Sequence, residues 1–250
     1  LLNGNDTKNA TLAKITKIIY MDYSVNNSIL ITNSYTLRKL IGILGMAMPL
    51  LLTIFLFVDS GLNTPLESIS HYYYTRVGSI FTIILSVLAI FLIVYKGKSL
   101  IDFIFSSVAG VFALFVVLFP TSNITDQCGD SSKNYVVTIL RKSDLRVNFH
   151  YISAGIFLLC LAYMSIFLFT KSDKLPSERG SKKILRNRVY RICGVLMVLA
   201  VVIIASESIP IIPPTYYTMH KVTFWMETLA IESFGFAWLI KGGTLFKDES

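Results

Sequence analysis

Cysteine, histidine and acidic side chains are all scarce in this chain, and each scarcity closes a class of function. Three cysteines in 250 residues cannot frame a disulfide scaffold. Cys160 and Cys193 fall inside apolar runs, which leaves Cys128 without an exposed partner for an intramolecular bridge. The three histidines are His71, His150 and His220. They stand as singletons, without H-E-x-x-H or comparable ligand spacing. No glycine-rich phosphate loop is present, and no apolar run carries a Gly-x-Ser-x nucleophile or a central lysine. Nucleotide hydrolysis, rhomboid-type proteolysis and retinal binding therefore have no support in the sequence. Nor is a bound cofactor expected.

What the chain has in abundance is hydrocarbon. Hydrophobic residues make up 54% of it and charged residues only 15%. Six apolar runs stand out: Leu40 to Val58, Val77 to Tyr95, Phe103 to Phe119, His150 to Thr170, Ile192 to about Ile212, and Val222 to Ile240. A helix rises about 1.5 Å per residue, so about 20 such residues match a hydrocarbon core of about 30 Å. A soluble domain of this length could scarcely cover six of them. The expected fold is all-α, a polytopic bundle of six transmembrane helices.

Orientation follows from the basic residues in the short connections. With a cytoplasmic N-terminus, fourteen Lys and Arg fall on the inner side and six on the outer, and the leading tail adds three more inside. Both termini are therefore expected inside. The formal net charge of +8 reads as membrane electrostatics and not as a nucleic-acid footprint, because no connection is long enough to form a soluble domain. Lys182, Lys183, Arg186 and Arg188 are the expected contacts for anionic lipid at the inner surface. The layout is a polar tail over 1–37, a transmembrane domain over 38–243 and a short tail over 244–250. Residues 1–20 read as sequence upstream of a native start at Met21.

Local signals account for several polar residues. Thr64-Pro65-Leu66-Glu67 has the form of a helix start, with Glu67 as its cap, and Ser99 to Asp102 has that of a capping box. Tyr72, Tyr73, Tyr74, Tyr216, Tyr217, Trp225 and Trp238 fit interfacial belts. Ser106, Gly110 and Ala113, and Ser153, Ala154 and Gly155, form small-residue stripes suited to close helix contact. Asn123-Ile124-Thr125 has the form of a glycosylation sequon.

One polar pattern outlasts this pruning. All three histidines map near the outer interface, His71 before the second run, His150 heading the fourth and His220 before the sixth. Glu207 joins them at the outer end of the fifth run. Glu227 follows His220 by seven residues, two turns deeper on the same face of a continuous helix. An intramembrane carboxylate is costly and marks a functional site by default. Glu227, His220, His150, His71 and Glu207 form the candidate site, with His71, His150 and His220 as the metal-ligand candidates.

The strings Ser68 to Thr75 (SISHYYYT), Ala109 to Thr121 (AGVFALFVVLFPT), Arg186 to Gly194 (RNRVYRICG) and Phe224 to Gly242 resemble a group of small bacterial multi-pass proteins known only as hypothetical membrane proteins. That resemblance implies a bacterial cytoplasmic membrane and brings no activity with it. Ser70, His71, His150 and His220 are also superficially similar to the zinc-site inventory of the alkaline ceramidase and adiponectin-receptor superfamily of intramembrane hydrolases. The match departs from that pattern in having six runs, not seven, no histidine pair spaced by four on the last helix, and Asp102 at the wrong face. Three functions follow as expectations: a small-solute or proton-coupled permease using Glu227, a metal-dependent lipid hydrolase using the histidines, or a lipid- or partner-binding protein.

Overall fold

The computed structural model describes residues 35–97, 99–124, 135–172, 180–209 and 212–246. Helix α1 spans Tyr35–Ser60 and is followed by a 3-10 turn at Ile69–Tyr74. Then come α2 (Gly78–Val94), α3 (Leu100–Leu118) and α4 (Asp144–Leu168), whose last turn, Met164–Leu168, is wound as a π-helix. The chain continues through α5 (Ser181–Ser206), the short α6 (Pro214–His220) and α7 (Val222–Lys241). Among the described residues there is no strand, only an isolated antiparallel bridge between Thr75 and Val136. The all-α expectation is met.

Four helices, α1, α3, α4 and α5, are long and apolar enough to cross a membrane. Helix α2 is equally apolar but has 17 residues, a length of about 26 Å. Helix α7 has 20 residues, diluted by Glu227, Glu232 and Lys241.

The helices alternate in direction. The connections after α1, α3 and α5 meet at one pole, where Phe224 N–H donates to Glu67 O at 2.8 Å and Tyr74 hydroxyl to Thr121 O at 2.5 Å. At the other pole Arg38 reaches Lys241 O, and Lys171 pairs with Asp102 at 3.7 Å. Within lipid there is no hydrophobic drive between helices, so close backbone approach and dispersion must hold such a bundle together. Gly42 of α1 and Gly235 of α7 supply a reciprocal close contact: a Cβ on either would lie 2.8 Å from the other's carbonyl oxygen. In α3, a Cβ on Gly110 would lie 2.5 Å from Ala89 O of α2. That stripe behaves as the sequence suggested, whereas Gly155 in α4 has no neighbour within 4 Å.

Several local expectations need correction. Residues 64–67 are not helical; Glu67 instead pairs with Lys221 at 3.5 Å, and the turn starts five residues later than Thr64, capped by Ser68. The capping box of α3 is as expected, with Ser99 N–H donating to Asp102 at 2.9 Å. Tyr72, Tyr74 and Trp238 are interior and not belt residues, each at most 1% exposed, while Trp225 is exposed. Asn123 clamps the backbone of Leu140, donating to its carbonyl at 2.7 Å and accepting its N–H at 3.0 Å. Those two bonds commit the amide that a sequon would offer. Cys128 lies outside the described residues.

Candidate functional site

The connection between α1 and α2 folds inward. Ser68 is extended (φ −147°, ψ 150°) and its hydroxyl oxygen accepts the N–H of Ser70 at 3.1 Å, which starts the 3-10 turn. A helix start leaves backbone donors that need acceptors. Here Glu227 of α7 supplies one: its carboxylate accepts Ile69 N–H at 2.6 Å and Ser68 hydroxyl at 2.9 and 3.0 Å. The Glu67–Lys221 pair and the Glu67 carbonyl tie the same connection to the head of α7. Burial pushes the Glu67 carboxyl above its ordinary range, and the Lys221 ammonium draws it back. Glu227 thus faces protein and not lipid.

A second constellation sits one turn further on. His150 of α4 places Nδ1 2.8 Å from Phe119 O and Nε2 3.1 Å from Ser70 Oγ. A carbonyl oxygen only accepts, so Nδ1 must carry the proton and Nε2 is left as the acceptor for the Ser70 hydroxyl. His150 is 2% exposed and Ser70 7%. The carbonyl is itself held in place: Phe119 ends α3, and the following turn is pinned by Arg146 Nε donating to Pro120 O at 3.0 Å and by Tyr74 on Thr121. Serine hydroxyl, imidazole and backbone carbonyl therefore stand in hydrogen-bonded sequence.

His71 is adjacent and also enclosed. Its Nε2 lies 3.4 Å from Ser122 Oγ, and its buried Nδ1 has no hydrogen-bond partner. Burial holds its pKa down to about 4, with the fields of His150 and Lys221 acting in the same direction, so the ring is neutral. Ser70 and Glu227 also line a small cavity of about 40 Å³, walled by apolar side chains such as Met48, Phe81, Leu85, Phe157 and Phe234.

Of the five residues expected to form the site, Glu227, His150 and His71 gather around the Ile69–Tyr74 turn. His220 does not. Lys221 is left-handed (φ 52°, ψ 38°) and breaks the chain between α6 and α7. The seven-residue register that put His220 above Glu227 on one helix therefore does not apply. His220 is exposed and packs against Tyr216, with ring centroids 4.3 Å apart and planes inclined by 47°. Glu207 is exposed and accepts the Thr223 hydroxyl at 3.2 Å. Among the described residues no group of three His, Cys, Asp or Glu is placed to hold a metal ion, which removes the three-histidine ligand set.

The participants that charge-based reading passed over are Ser68 and the backbone N–H of Ile69. Only the Ser-x-Ser-His string hinted at a polar turn there. No family model, curated protein or solved structure matches the chain.

Proposed function

We propose that this chain is a membrane-embedded acyl hydrolase in which Ser70 is the nucleophile and His150 its general base. The observation that carries the reading is the 3.1 Å contact from Ser70 Oγ to His150 Nε2, with Nδ1 fixed on the Phe119 carbonyl. Ser70 Oγ attacks an ester carbonyl carbon while its proton passes to His150 Nε2; His150 then protonates the leaving alkoxide. Water, deprotonated by the same nitrogen, releases the acid and restores Ser70. The N–H groups of Ile69 and Ser70 are the donors beside the nucleophile. At rest both are occupied, by Glu227 and by Ser68 Oγ. The ester oxygen would displace one of these acceptors as negative charge develops.

The small cavity beside Ser70 supports a short-acyl substrate. About 40 Å³ holds roughly three waters, which suits an acetyl- to propionyl-sized acyl group against mostly apolar walls. In this reading the bundle crosses the bacterial cytoplasmic membrane six times with both termini inside, so the site opens toward the outer leaflet. The alternating helix directions and the excess of basic residues at the inner connections support that topology.

The test is ester turnover by detergent-purified protein, using fluorogenic acetyl, butyryl and octanoyl esters. Hydrolysis should favour the acetyl ester and vanish in Ser70→Ala and His150→Ala while Ser122→Ala retains it. No turnover by the parent protein, or equal turnover by Ser70→Ala, overturns the proposal. The clamp of Glu227 on Ser68 and Ile69 favours one second reading, a proton-coupled permease gated by that carboxylate. It predicts pH-dependent solute flux in liposomes that Glu227→Gln abolishes and Ser70→Ala leaves intact.

A further inference from the structure

The pole opposite Ser70 holds a larger cavity, of about 610 Å³, between the lower ends of α1, α4, α5 and α7. That is the size of small-molecule pockets generally. Among the described residues its walls carry Arg38, Lys39, Lys171, Lys183, Arg186 and Lys241, and the carboxylate of Asp102. Asp102 is committed elsewhere: it caps α3 through Ser99 N–H and faces Lys171 at 3.7 Å. We infer that this cavity binds a phosphate-bearing anion, independently of any chemistry at Ser70.

Three features make it a built site and not a diffuse basic surface. First, the cations are held at fixed points by protein acceptors. Arg186 donates to Phe246 O at 2.5 Å, Lys183 to Lys171 O at 3.1 Å and Lys241 to Phe169 O at 3.3 Å. Second, the floor is aromatic. Arg38 lies 5.3 Å from the Tyr35 ring centroid and 5.5 Å from that of Tyr95, and Lys241 lies 5.1 Å from that of Phe169. Such contacts preorganise a guanidinium without neutralising it. Third, Arg38 has a buried Nε with no hydrogen-bond partner, a donor that an anionic oxygen would satisfy. Planar guanidinium forks and clustered ammonium groups are the donors suited to phosphate oxygens.

Of the residues expected to meet anionic lipid, Lys183 and Arg186 line the cavity, whereas Lys182 and Arg188 are not among its lining residues. Phosphate could reach it as the headgroup of a lipid at the inner surface or as a soluble phosphate ester. Trp238 reports on either, since its ring lies 4.8 Å from Tyr95 and 5.3 Å from Phe169 on the cavity wall.

The experiment titrates the full chain in uncharged detergent with inorganic pyrophosphate and with glycerol 3-phosphate, and separately with phosphatidylcholine vesicles with and without phosphatidylglycerol. Tryptophan fluorescence and calorimetry serve as readouts. Saturable binding of the soluble probes identifies a soluble ligand, and binding confined to phosphatidylglycerol vesicles identifies a lipid headgroup; either supports the site. Arg38→Gln with Lys241→Gln should weaken binding about tenfold or more. Arg188→Gln with Arg191→Gln, both exposed on α5, should change it less than about twofold. Should the first pair fail to fold, Lys39→Gln with Lys183→Gln replaces it. Equal losses in the cavity and surface pairs, or no binding in any format, overturn the inference.

Discussion

Replacing Glu227 by alanine should release the connection between α1 and α2 from the bundle. The carboxylate accepts the Ser68 hydroxyl and the Ile69 N–H, the latter at 2.6 Å. Alanine leaves both donors inside the protein without an acceptor, at about 1–3 kcal/mol each, so the closed connection loses about 2–6 kcal/mol. That shift raises the population of the open form by about 30-fold or more. Glu227→Gln keeps a carbonyl oxygen and should cost about 1 kcal/mol, the difference between a charge-assisted and a neutral bond. The assay is maleimide labelling of Leu66→Cys in a background free of other cysteines. Leu66 is 5% exposed, so its labelling reports opening. The expected order of rates is Glu227→Ala well above Glu227→Gln, and Glu227→Gln slightly above parent. Glu207→Ala, at an exposed site, serves as the control. If Glu227→Ala labels no faster than Glu207→Ala, the clamp contributes nothing and the reasoning fails.

Protonation of His71 provides a second test. Its folded pKa of about 4 lies below the ordinary 6.5, so the unfolded chain binds the extra proton. Stability is full above pH 6.5 and falls as pH drops toward 4, by about 3 kcal/mol across that window. His71→Gln should flatten that part of the pH–stability curve, and an unchanged slope would refute the assignment. Gly235→Leu should destabilise by about 3 kcal/mol or more in detergent melts, because a side chain there meets Gly42 O and Met46. Gly155→Ala, in open space, should be neutral; equal effects would refute the α1–α7 contact. Topology reporters should give inside signals at the C-terminus and outside signals near Ser131, and an outside C-terminus would rule out the six-span arrangement.

The helices were legible because a run of 17 or more apolar residues has few alternatives to a helix once backbone groups must be satisfied internally. Glu227 was legible for a related reason: a carboxylate in such a run must find partners. His220 departs from its expected place because α7 does not continue upward as one helix. Nothing in Met219-His220-Lys221-Val222 announces a left-handed lysine, a conformation that sequence patterns assign to glycine or asparagine. Tyr72 and Tyr74 look like belt residues in sequence because belts and buried turns use the same amphipathic rings. Ser68 and Ser70 carry no charge and no period. Their placement depends on Glu227 and His150, more than 75 residues away in sequence, and no local signal reports a pairing at that distance.

The most direct test of the Ser70–His150 assignment is covalent labelling. The folded protein is treated with a fluorophosphonate, digested and mapped by mass spectrometry. A phosphonate on the peptide carrying Ser70, absent in His150→Ala and retained in His71→Gln, is the predicted result. Labelling confined to any other serine, or none under conditions that label a known serine hydrolase, would contradict it.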